Sequence, residues 1–141
     1  MKAARLFLIT SLLFSPVAAT SVLAQQPATK QPAQPSAKVK ALYGTWTFIG
    51  SETFSMPQDP NDAQKTDVLI LNADGTFTFK MDGNEHKGKW VADASATLIT
   101  LTDESTNEVF KLRVLEKTAK RLKVDYRDKD DVHNILIYEM K

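Results

Sequence analysis

From Thr45 to the C-terminus, apolar residues recur at every second position, and turn-forming residues interrupt them at short, regular intervals. A two-residue period places alternate side chains on opposite faces, which makes strands and not helices. The segments that read as strands are 45–52, 66–72, 75–81, 86–92, 96–102, 108–116, 121–127 and 132–140. Between them stand Ala73-Asp74, Asp82-Gly83-Asn84, Asp93-Ala94-Ser95, Asp103 to Asn107, Lys117 to Lys120 and Asp128 to Asp131. Links this short join antiparallel neighbours, because a parallel pair needs a crossover of about a dozen residues or more. No window carries a convincing 3.6-residue stripe. Only 53–65, with Pro57, Asp59, Pro60 and Asn61, has room for an irregular loop or a short helical turn.

Eight such strands in succession form a meander, and closing the meander removes both exposed edges. The expected fold is therefore all-β, an eight-stranded antiparallel up-and-down (meander) β-barrel. A two-sheet sandwich is the fallback, but its Greek-key links would have to be longer than these. An eight-stranded barrel is wide enough to be filled by side chains or to hold one small ligand.

The residues before this domain have a different character. Lys2 and Arg5 precede an apolar stretch from Leu6 to Phe14, Pro16 breaks it, and Val22-Leu23-Ala24 precedes Gln25. This pattern reads as a secretory signal peptide over 1–24, and so predicts an exported protein, periplasmic or extracellular. The competing reading, an uncleaved anchor, is disfavoured because the apolar run falls short of the roughly 20 residues a span needs. Residues 25–40 are rich in Pro, Gln and Lys and read as a disordered linker, leaving 41–141 as one domain of about a hundred residues.

The chain has no cysteine, which excludes disulfides, thiolate metal sites, cysteine nucleophiles and a lipid-modified cysteine. Loss of Lys2 and Arg5 with the leader takes 18 basic residues to 16, against 17 acidic ones. A balance so close to neutral supplies no bulk attraction for nucleic acid or an anionic membrane.

Three motifs in order carry a family resemblance: Leu42-Tyr43-Gly44-Thr45-Trp46, then Leu69 through Asn72-Ala73-Asp74-Gly75-Thr76-Phe77, then Gly88-Lys89-Trp90. With them, residues 42 to about 140 resemble the small bacterial lipocalin-like domains, and more weakly the fatty-acid-binding proteins of the same superfamily. The resemblance implies a barrel of lipocalin type, with Gly44, Trp46 and Trp90 as structural residues at its floor. In larger lipocalins a basic residue from near the last strand packs over the first Trp; here that strand ends Tyr138-Glu139-Met140-Lys141.

Alternation assigns faces. Trp46, Phe48, Phe77, Phe79, Met81, His86, Gly88, Trp90, Phe110, Leu112, Val114, Leu122, Val124 and Tyr126 read as inward. Strands 66–72, 96–102 and 132–140 are apolar on both parities and stay unassigned. With Trp46 at the closed end, loop 53–65 and turns 82–84, 103–107 and 128–131 fall at the open end. That rim collects Asp59, Asp62, Asp82, Asp103, Glu104, Asp128, Asp130 and Asp131, with Glu85 adjacent, against Lys65 and Lys129. Aspartate is a good turn former, but the resulting field would still favour neutral or cationic ligands. His86, Tyr126 and Asn134 are the polar handles near this end. Phe79, Met81 and Phe110 would line the interior, and Phe54 and Met56 would sit on a mobile lid. The residues leave open whether the interior is a cavity or a solid plug.

By parity Arg113, Arg121 and Arg127 point outward, so none is placed as a buried clamp for a fatty-acid carboxylate. Lys111, Arg113, Arg121 and Lys123 form an outward basic stripe, a surface for a protein or an anionic glycan, or simply a solvated face. The chain has no Gly-x-Ser-x-Gly, phosphate loop or zinc motif, and His86 and His133 stand alone on separate strands. Neither catalysis nor a cofactor is expected. The expected function is binding of a small apolar or amphipathic molecule, neutral or cationic, in the barrel. The alternative is a solid barrel that acts through its surface as an inhibitor or interaction module.

Overall fold

The computed structural model describes residues 34–141. The leader read over 1–24 and most of the linker read over 25–40 lie outside the described residues. The strands are β1 (Gly44–Thr53), β2 (Met56–Gln58), β3 (Val68–Leu71), β4 (Thr76–Met81) and β5 (Asn84–Ala92), followed by β6 (Leu98–Asp103), β7 (Val109–Lys117), β8 (Arg121–Arg127) and β9 (His133–Met140). They form one sheet in the order β2-β1-β3-β4-β5-β6-β7-β8-β9, and β1 also pairs with β9. That last pairing closes an eight-stranded antiparallel meander barrel, with β2 as an extra short strand beside β1. The sandwich is ruled out.

Turn chemistry sets the hairpins. Asp82 and Gly83 both have positive φ, 51° and 80°, the twist that a two-residue link between antiparallel strands prefers. Asp74 accepts hydrogen bonds from the backbone N–H and hydroxyl of Thr76 and so closes the β3–β4 turn. Asp93 accepts from the N–H groups of Thr97 and Leu98 and does the same before β6.

Two expectations about the connections need correction. Segment 53–65 holds more than the irregular loop or short helical turn expected, because β1 turns through Phe54 and Ser55 and returns as β2, paired from Thr53↔Met56 to Ser51↔Gln58. A single 3₁₀ turn, Gln64–Thr66, then leads into β3. The linker also ends earlier than residue 40. Ser36 caps a helical turn, α1 (Ala37–Lys40), whose Val39 is buried in the core together with Leu42. One valine with a leucine three residues on is enough to dock a turn of helix against the closed end.

The inward set read from alternation is buried or half-buried throughout, and the three unassigned strands resolve. Leu69 and Leu71, then Ile99, Leu101 and Asp103, then Leu136 and Tyr138, belong to the inner face. The last strand read as apolar on both parities because Ile137, outward between Gly50 and Lys123, is buried as well.

At the closed end the Trp46 indole is fully buried and donates to the Leu42 carbonyl at 2.8 Å. The Lys117 ammonium, from the end of β7, lies 4.9 Å from the centre of the Trp46 ring. The Trp90 indole donates to the Asn72 carbonyl at 3.0 Å and meets Tyr43 edge-on at 5.8 Å. Gly44 stands at φ 134°, and a Cβ there would lie 2.9 Å from the Met140 sulfur.

Candidate functional site

The middle of the barrel is full. Phe79 and Phe110 pack edge-to-face at 5.5 Å, and the His86 ring lies 4.7 Å from Phe110. Phe48 and Tyr138 form a second edge-on pair at 5.7 Å. Above them, at the open end, a cavity of about 330 Å³ remains. Its apolar wall is Phe48, Met81 and Leu136, and its polar wall is Ser51, Gln64, Tyr126, Asn134 and Tyr138 with Asp67, Asp82 and Asp128. This is the low end of the size range for small-molecule sites.

Local structure delivers each of these groups. The register of β1 against β9 slips between Phe48 and Gly50, so that Ser51 lies opposite Leu136. One extra residue in β1 moves Ser51 onto the inner face, where strict alternation would have placed Gly50. A Cβ on Gly50 would come within 2.8 Å of the Gln58 carbonyl oxygen, so β2 can lie this close only against glycine. Asp67, just before β3, is 3% exposed and accepts from the N–H groups of Asp82 at 2.7 Å and Gly83 at 3.2 Å. It thereby pins the β4–β5 turn, while Asp82 accepts from the Gln64 amide at 2.7 Å. Asp128 holds its own loop by accepting from the N–H groups of Asp130 and Val132.

Tyr138 is 1% exposed, yet its hydroxyl makes no hydrogen bond among the described residues. It is not sealed off either: the fully enclosed side-chain polar atom without a partner is Thr47 Oγ1, whereas Tyr138 borders the cavity. Burial, with the nearby charges of Asp67 and Asp82, pushes the Tyr138 hydroxyl far above the usual tyrosine range. Burial also raises Tyr126, helped by Glu108 and Asp128. Both hydroxyls therefore stay protonated, able to donate as well as accept.

Of the residues singled out in the sequence, Met81, Tyr126 and Asn134 meet in this cavity. Phe79 and Phe110 are core beneath it. His86 is drawn aside by Asp103, with Nδ1 3.0 Å from the carboxylate, and does not border the cavity. Phe54 and Met56 stand 88% and 60% exposed at the tip of the β1–β2 hairpin and do not border the cavity. Gly44, Trp46 and Trp90 lie at the closed end.

Asp103 is not a rim charge. It is 2% exposed and inward, and accepts from the Ser105 hydroxyl and the N–H groups of Ser105 and Thr106 as well as meeting His86. These bonds, those of Ser105 and Thr106 foremost, hold its carboxyl far below the usual range. Among the described residues, no group of three or more His, Asp or Glu side chains is placed to hold a metal ion.

On the outer wall, Lys111, Arg113 and Arg127 surround Asp125 in a groove that also exposes Leu98 and Val109. Both Asp125 oxygens lie 3.0 Å from His133 Nδ1. Lys123 is tied at 2.8 Å to both oxygens of Glu52, which takes it out of the stripe read with Lys111, Arg113 and Arg121.

No protein-family model and no curated protein matches this chain.

Proposed function

We propose that this chain is an exported, lipocalin-like binding protein that holds one small amphipathic molecule, neutral or cationic, in the open mouth of its barrel. The observation that carries the reading is the Tyr138 hydroxyl, almost wholly buried, unpartnered and bordering a cavity with apolar walls on its other side. That hydroxyl faces the cavity, where a ligand's polar group can pair with it. The full barrel below limits the ligand to something short. The protein acts by binding and not by catalysis.

The test is an NMR titration of ¹⁵N-labelled protein with 1-hexanol. Saturable shifts at Ser51, Met81, Tyr126 and Tyr138 support the reading. Shifts that never saturate, or that gather around Leu98 and Val109, overturn it. The latter result favours the second reading, contact through the outer wall, which rests on the exposed apolar pair set among Lys111, Arg113 and Arg127.

A further inference from the structure

We infer that two copies of this chain pair through the tips of the β1–β2 and β8–β9 hairpins, each seating its Phe54 against the partner's Val132 and Ile135. The mouth takes no part, since none of the residues that border it borders the groove between these tips.

At the first tip, residue and backbone conflict. The β1–β2 hairpin turns through two residues, Phe54 and Ser55, both at positive φ, 52° and 64°. Such a turn favours Asn-Gly, and a bulky side chain there costs backbone energy. Within one copy the Phe54 ring gains no packing in return, because it is almost fully exposed. An exposed aromatic ring on a strained turn is an anchor without its socket.

A socket lies beside it. Phe54 borders a groove of about 480 Å³ whose far side is the β8–β9 tip. The apolar wall there is the exposed Val132 and the half-buried Ile135. Anchor and socket thus stand next to each other on one surface. A two-fold pairing of identical surfaces requires this, since each copy then gives one anchor and receives one.

Charge selects the same occupant. The ionisable side chains that border the groove are each partnered within their own copy: Glu52 has Lys123 at 2.8 Å, Asp131 has Arg127 at 3.1 Å, and His133 has Asp125 at 3.0 Å. These pairs leave the groove little net charge with which to draw a strongly charged partner or lipid surface, and two identical faces meet without repulsion. Backbone pairing is not the mode. β2 has a free edge, but Pro57 at its centre has no N–H to offer. A contact of a few side chains falls below the roughly 1,200 Å² of a standard interface, so the dimer is weak, with a Kd on the order of 100 µM.

Sedimentation of the full chain from about 10 µM to about 1 mM tests this. The weight-average mass should climb from one chain toward two. NMR shifts that move with concentration should gather at Thr53 to Met56 and at Asp131 to Ile135, and should spare Met81 and Tyr126. Phe54→Asn suits the positive φ, so the fold is kept, and should weaken pairing about tenfold. Val132→Thr keeps the shape of the side chain but adds a hydroxyl, and should weaken it about threefold. A single chain at every concentration, a dimer as strong in Phe54→Asn as in the parent, or shifts gathered elsewhere would overturn the pairing.

Discussion

The Lys117 ammonium sits over the Trp46 ring at 4.9 Å, so the β7–β8 end of the barrel lays a cation on the indole that plugs it. The cation comes from the end of β7 and not from the last strand. Lys117→Met keeps the aliphatic stem and deletes the charge, and should cost about 0.5–1 kcal/mol in urea unfolding. Trp46→Ala should cost about 3–5 kcal/mol in the same assay.

Tyr138→Phe separates stability from binding. It removes a buried hydroxyl that has no protein partner, so thermal unfolding should show a variant as stable as the parent or about 1 kcal/mol more so. Binding of 1-hexanol in the NMR titration should weaken.

Asp103 gives an acid dependence with a definite sign. Its carboxyl is held below its ordinary value of 3.8, chiefly by the Ser105 hydroxyl and the Thr106 N–H. The stabilisation is therefore fully present above about pH 4, and is lost as pH falls below 3.8 through the lowered native value. Asp103→Asn should be less stable than the parent at pH 7, and the gap should narrow between pH 4 and pH 2. Urea midpoints at a series of pH values check this.

The glycines divide by cause. A Cβ on Gly88 would lie 2.0 Å from the Thr102 carbonyl oxygen, between paired strands that cannot move apart. Gly88→Ala should cost about 3 kcal/mol or more. Gly83 meets nothing within 4 Å but stands at φ 80°, so Gly83→Ala should cost only about 1–2 kcal/mol, from the backbone alone.

Phe54 carries backbone strain for no packing return, at φ 52° and almost fully exposed. Phe54→Asn should stabilise the fold by about 0.5–1 kcal/mol in urea unfolding and leave the mouth unchanged.

Alternation exposed most of this architecture because a barrel wall obeys a two-residue period almost everywhere. It placed Met81 and Tyr126 inward, and turn chemistry placed Asp82 and Asp128 beside them. Ser51 was hidden by the slip in β1, whose only written sign is Gly50. Asp67 and Asp103 were hidden because an aspartate at a strand end looks like turn punctuation, and nothing local says that its carboxylate folds inward to gather N–H groups. Tyr138 was obscured by Ile135 and Ile137, which make the last strand apolar on both faces. The floor of the cavity depends on how Phe79 packs on Phe110 and Phe48 on Tyr138 across four strands, a relation no single segment contains.

The β1–β9 seam has a consequence for how the molecule comes into being. Every other pairing in the wall joins neighbours in the chain and can form as soon as both have been made. β1 must keep one flank unsatisfied until β9 arrives, and Trp46, which has Met140 as its cross-strand partner, is not enclosed before then. The final stitch is thus the slow one, since it alone requires distant parts of the chain to meet. Until it forms, the molecule is an open, adhesive ribbon, and anything that delays the arrival of β9 lengthens its exposure to aggregation.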